Sequence, residues 1–134
     1  MVRSFLACVA GLVAWLVVVT IIDRVLRVAM PGYTIAEHTL QFTFAMKLAR
    51  LLMAAITSIA AGAVTRWVAP ASRWAPWVVG GVVLAMFLPA HVMIWSRLPV
   101  WYHLAFLLTI VPLVVAGARL LPPRSPGLVV GAGS

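Results

Sequence analysis

The chain has 134 residues, of which 65% are hydrophobic and only 9% charged, and its mean hydropathy is +1.15. A soluble domain carries about 25% charged residues to hydrate its surface, so this composition excludes a water-soluble globule. Two acids, Asp23 and Glu37, stand against ten bases for a formal charge of +8, but the bases are scattered at the ends of apolar runs. A nucleic-acid reader would gather them on one soluble face, and no soluble segment is long enough to hold such a face.

Four stretches free of Asp, Glu, Lys and Arg fill most of the chain: Ser4 to Ile22, Leu51 to Thr65, Trp74 to Ser96 and Leu98 to Ala118, of 19, 15, 23 and 21 residues. A helix rising about 1.5 Å per residue needs roughly 20 apolar residues to cross a hydrocarbon core of about 30 Å. The predicted fold class is therefore all-α: a polytopic membrane protein, an antiparallel bundle of four transmembrane helices in one domain over residues 1–121. The spans are expected at about 4–22, 47–66, 74–96 and 99–119, with a partly helical outer connection over 23–46 and a disordered C-terminal tail over 122–134.

The first helix is expected to run from about Arg3 to Met30, because Asp23 and Arg27 stand four apart with the acid first, which supports a helix. Ala7 and Gly11 make a small stripe on it, suited to close helix approach in lipid. The single cysteine, Cys8, excludes an internal disulfide and reads as a small packing residue. Only Met1 to Phe5 and two residues more precede it, too little for a lipoprotein signal. No polar cleavage region follows the run, so it reads as a retained span.

Pro31-Gly32 stops the first helix, and Thr34-Ile35-Ala36-Glu37 fits a capping box that starts the next. From Ile35 to Arg66 the second helix would be about 48 Å long. Its first part, roughly Ile35 to Lys47, is expected in the headgroup layer or set off by a bend. Lys47 and Arg50, three apart, either snorkel to the headgroups or pair with Glu37 or Asp23 across helices one and two. Ala54, Ser58 and Gly62 form a second small stripe.

Arg66 to Arg73 is a connection holding Pro70 and Ser72, with Trp67, Trp74 and Trp77 as an interfacial belt. Helix three follows to about Trp95, with Gly81 and Ala85 as its small pair. Only Ser96-Arg97-Leu98-Pro99 separates it from helix four, so the two are antiparallel neighbours. Trp95, Trp101 and Tyr102 are assigned to the opposite belt. Pro89 and Pro112 lie inside helices three and four, freeing the carbonyls of Ala85 and Leu108, which predicts a kink in each helix or a hinge lining a pathway.

Alternating spans place Asp23, Glu37, His38, His91 and His103 on one side of the bilayer, with Arg50 at the same mouth. The other side has arginines and tryptophans but no carboxylate side chain and no imidazole. Imidazole binds metals and exchanges a proton near pH 6.5, so this outer cluster could compose a metal, haem or proton site, although its separations match no metal-ligand motif. Alternatively, these are interfacial residues that meet water or headgroups. Phosphate loops, nucleophile elbows, His-Glu-x-x-His and paired cysteines are all absent, so no catalytic residue and no cofactor are assigned. Counting Lys and Arg near the span ends gives Arg3, Arg66, Arg73, Arg119 and Arg124 on one side against Arg24, Arg27 and Arg97 on the other, or five against five if Lys47 and Arg50 emerge there, and both termini are expected in the cytoplasm.

The order of parts is a Gly-containing first span, a Pro31-Gly32 outer connection, a tight turn reading Leu98-Pro99-Val100-Trp101-Tyr102-His103, and a fourth helix ending Val115-Ala116-Gly117-Ala118-Arg119-Leu120. It resembles a loose class of uncharacterised four-helix bacterial inner-membrane proteins over almost the whole chain. The resemblance implies the bacterial cytoplasmic (inner) membrane and no activity. The small multidrug exporters match in size but carry an intramembrane Glu in the first helix, where this chain has no acid until Asp23. Two readings of function follow. The first is a non-catalytic accessory or assembly subunit acting through helix packing, with a membrane-protein partner or a second copy. The second is a minimal transporter or channel using the Pro-interrupted helices and the outer His and acid cluster. Under either, anionic lipid headgroups are expected partners at the Arg-rich ends.

Overall fold

The computed structural model describes residues 1–122, so the expected tail from residue 123 onward lies outside the described residues. Five helices form: α1 (Val2–Ala29), α2 (Tyr33–Thr39), α3 (Phe44–Val68), α4 (Ala75–Met93) and α5 (Val100–Leu120). Four of them, at 28, 25, 19 and 21 residues, are long and apolar enough to cross a membrane. Even the shortest rises about 28 Å, close to the hydrocarbon thickness. Arg3 at the start of α1 donates to the Val68 carbonyl at the end of α3 (2.7 Å), while His91 late in α4 meets His103 early in α5. The four long helices therefore run alternately up and down, as an antiparallel bundle of membrane-spanning helices. Side chains such as Val13, Leu52, Met86 and Leu108 are half or more exposed on its flanks, where a soluble protein would place polar groups.

The long second helix expected from Ile35 to Arg66 is two helices. Gly32 adopts a left-handed φ of 81° that lets the chain turn directly after α1, and α2 starts at Tyr33. Leu40 is also left-handed (φ 58°), which ends α2, and Thr43 opens α3 by accepting the Met46 amide (3.2 Å). The capping box expected of Thr34 and Glu37 does not form: Gly32 holds the N-cap position with no side-chain cap, and the Glu37 carboxylate turns to arginines instead. A carboxylate gains more from two guanidinium groups than from one backbone amide.

α3 is the central helix and packs most extensively on α5 and α1, whereas α4 has the least contact with the rest of the long helices. The α3–α5 contact rests on two glycines used reciprocally. A Cβ on Gly62 would overlap the Val114 carbonyl, and one on Gly117 would overlap the Ile59 carbonyl. Each backbone approaches the other at the place where the partner helix has no side chain, the close packing that lipid-embedded helices depend on. Gly11 makes the equivalent approach from α1 to the Thr65 hydroxyl. Ala54 and Ser58 are buried in the same seam. Gly81 and Ala85 instead face outward, with open space around Gly81, and it is Gly80 that meets α5 at Val111. Pro89 and Pro112 lie inside α4 and α5, both on exposed flanks.

Two core clusters result. One, running from the middle of the bundle to its Arg66 end, contains Trp15, Ala61, Val79, Val83, Phe106, Ile110 and Val114. The other, at the His91 end, is built from Tyr33, Ala36, Phe42, Met46, Leu98 and Tyr102.

Candidate functional site

The charged residues of the His91 end form one network. Asp23 and Arg27, one turn apart on α1, pair at 3.0 Å. α2 follows α1 and brings the Glu37 carboxylate to the same Arg27 Nε (3.0 Å). Glu37 also faces Arg50 of α3 at 3.7 Å, so a single carboxylate ties three helices together. Of the two readings open for Arg50, the pairing with Glu37 is the one formed.

Arg50 is held from four directions. Its Nη1 donates to the Tyr33 hydroxyl (3.0 Å), its Nε donates to the Tyr102 hydroxyl (3.2 Å), and its guanidinium carbon lies 4.8 Å from the centre of the Phe42 ring. With the carboxylate these contacts satisfy a half-buried cation at membrane depth, where an unpaired one is costly. The Tyr33 phenol, in the α2 connection, is pushed above its ordinary value by burial, with the Arg50 charge pulling the other way.

Next to Arg50 lies the histidine pair. His91 and His103 are 5% and 0% exposed, and their Nδ1 atoms are 2.7 Å apart. His103 Nε2 lies 3.3 Å from the Trp95 carbonyl, which can only accept, so Nε2 of His103 carries the hydrogen. A neutral imidazole has one, so His103 Nδ1 accepts and His91 Nδ1 donates. That leaves His91 Nε2 as a bare acceptor. The rings are locked by neighbours: His103 stacks on Trp95 at 4.7 Å, and His91 lies 4.6 Å from Phe106. Two nitrogens bound to one zinc at about 2.0–2.1 Å each would stand farther apart than this contact, so the pair as folded is a hydrogen bond. Among the described residues no group of three or more His, Cys, Asp and Glu gathers in a way that could hold a metal ion.

Two clefts reach the network. One of about 270 Å³ runs along α1 and is lined by Trp15, Asp23, Arg24, Glu37, Arg50 and Met53. The other, of about 230 Å³, runs toward the α4–α5 turn and is lined by Glu37, Phe42, Arg50, His91 and Tyr102. Glu37, Arg50, Phe87 and Phe106 border both. Phe87 stands between Trp15 (5.1 Å) and Phe106 (5.2 Å), an aromatic row that borders the clefts on the bundle side. The Trp15 indole N–H is buried with no hydrogen-bond partner among the described residues, in a side chain that lines the first cleft.

Of the residues singled out from sequence, Asp23, Glu37 and Arg50 are thus joined in one network, and His91 and His103 in a pair beside it. His38 is exposed on α2, apart from both. Sequence reasoning missed four members. Tyr102, assigned to the interfacial belt, is 2% exposed and is one of the two hydroxyls on Arg50; Trp95 and Trp101 remain near the surface at 42% and 40%. Phe42 carried no signal because it lies in a helix break that the helical pattern of 35–66 concealed, and Tyr33, directly after the Pro31-Gly32 stop, read as part of a connection. Arg27 was legible as the partner of Asp23, but not as the bridge to Glu37. Comparison with protein-family models, with curated proteins and with solved structures finds no match to this chain, so the functional reading rests on geometry.

Proposed function

We propose that this integral membrane protein is a minimal transporter whose ligand site is the pair of clefts at the His91 end. The observation that carries the reading is Arg50, a half-buried cation that lines both clefts with Glu37 while His91 lines one of them. A bundle that acted by packing alone would be tied as well by apolar side chains, because buried ionisable groups in a membrane cost free energy that those do not. The site offers a guanidinium for an anionic group and the orphan Trp15 N–H for an acceptor. The clefts serve an outward-facing state, and access from the other side requires α4 to move against α1 and α3, with Pro89 as the break in its backbone bonding. In this reading the chain lies in an inner membrane with the Arg66 end in the cytoplasm, the side that has arginines and no acid.

The alternative reading, an accessory subunit, is favoured by the outward small pair Gly81 and Ala85 on α4, a face open to another helix. Cysteine labelling separates the two. In a Cys8→Ser background, Met53→Cys, buried at 7% exposure in the first cleft, should react with a charged, membrane-impermeant thiol reagent. Leu52→Cys, 62% exposed toward lipid, should stay unreactive because no thiolate forms there. Protection of both positions would mean dry clefts and leave the packing role.

A further inference from the structure

At the opposite end of the bundle, a cleft of about 510 Å³ is lined by Arg66 in the last turn of α3, Arg73 in the connection before α4, and Arg119 in the last turn of α5, together with Ser72 and Trp77. Both acids of the chain lie at the other end. Arg66 Nε is buried and has no hydrogen-bond partner among the described residues. Arginines at helix C-termini ordinarily meet the last carbonyls or snorkel to headgroups, which accounts for Arg66 and Arg119 taken singly. It does not account for their convergence with a third arginine from a loop, or for a buried donor left without an acceptor among the described residues.

A second feature adjoins the first. A groove of about 350 Å³ shares Trp77, Val115 and Arg119 with the cleft and is otherwise lined by Pro112 and Ala116. Pro112 lies two helical turns from Arg119, about 10 Å along α5 and so toward the bilayer interior. An anion site that continues as an apolar groove matches a headgroup followed by a chain. We infer that the Arg66–Arg73–Arg119 cleft binds a phosphate group, and that an anionic phospholipid supplies it, with an acyl chain along the Trp77–Pro112–Ala116 groove. Free phosphate would occupy the cleft and leave the groove empty.

The full chain, passed through nanodiscs of equal parts phosphatidylcholine and phosphatidylglycerol and then washed in mild detergent, tests this by mass spectrometry of the retained lipid. Phosphatidylglycerol should be retained preferentially, by roughly five-fold for each arginine engaged. The Arg66→Gln/Arg73→Gln/Arg119→Gln variant should lose the preference. Ala116→Phe, which fills the groove and leaves the arginines intact, should lose retained lipid while inorganic phosphate still raises its thermal midpoint. Equal retention of both lipids by the unaltered chain would overturn the inference, as would a preference unchanged in Ala116→Phe. A thermal shift with inorganic phosphate and no lipid preference would overturn the lipid as its source. Because Ala116→Phe is independent of the arginines, misfolding of the triple variant does not remove the test.

Discussion

The two ends of this bundle solve the same problem with opposite materials. In the bundle interior toward the Arg66 end the helices close on one another through Gly11, Gly62 and Gly117, backbone against backbone or hydroxyl, with Val79, Ile110 and Val114 packed in the same core and the arginine cleft left to the helix ends beyond it. Toward the His91 end the interior is polar instead: Arg50, two tyrosines and two histidines bond to one another beside two clefts. Small residues let helices approach without any water-driven force, whereas large polar ones hold them at a distance and must satisfy each other. One half is a clamp and the other a chamber. A structure that had only to hold together would repeat the first half at both ends.

Substitutions should separate the halves. The largest effect is expected at Gly62→Val, whose added carbons meet the Val114 backbone, which cannot yield as a side chain can. The loss should be about 3 kcal/mol in a reversible detergent unfolding titration. Gly81→Val, with open space around it, should change stability by less than about 0.5 kcal/mol. Similar losses at the two positions would break the comparison.

Next in size is the histidine pair. His91→Leu alone strands the buried Nδ1 of His103 and should cost about 2 kcal/mol. The His91→Leu/His103→Leu double variant should cost less than the two single losses summed, since it leaves no orphan. Strict additivity would mean that the Nδ1 contact does not hold the chamber.

Glu37→Gln weakens the link to Arg27 and Arg50, both partly exposed, and should cost no more than about 1 kcal/mol. That cost should shrink as salt rises. The smallest effect is a pH effect at Tyr33. Its folded value lies above the unfolded value of about 10, so its contribution is fully present below that pH and is lost as pH rises through the folded value. Ultraviolet titration of the unaltered chain should show a tyrosine step above the ordinary range, absent in Tyr33→Phe.

Much of this architecture was legible in the chain itself. Four apolar runs of membrane length fix four helices because lipid offers backbone groups no other partner. The Ser96–Pro99 turn forces α4 and α5 to be antiparallel neighbours, which puts His91 and His103 at the same end of the bundle. Alternation alone puts Asp23, Glu37, His38, His91 and His103 on one side. The break at Leu40 to Thr43 was harder to see. Leu40 is not a residue that announces a left-handed φ, and its neighbours continue a helical pattern. The capping box was misleading because Glu37 had better partners that the sequence could not place beside it.

What the sequence by itself determined is therefore the membrane, the number of spans, their order and the side on which the chemistry lies, because these depend on hydrophobicity and length along one dimension. Only the tertiary structure decided the rotation of each helix about its axis. Rotation turns Gly80 rather than Gly81 toward α5, directs His91 to His103 rather than to lipid, and brings Tyr102 under Arg50. A helix repeats every 3.6 residues, and in lipid both its buried and exposed faces are apolar, so the periodicity that marks the inner face of a soluble helix is nearly erased here. The packing of backbone on glycine and of polar group on polar group restores that choice, and it can act only when the other helices are present.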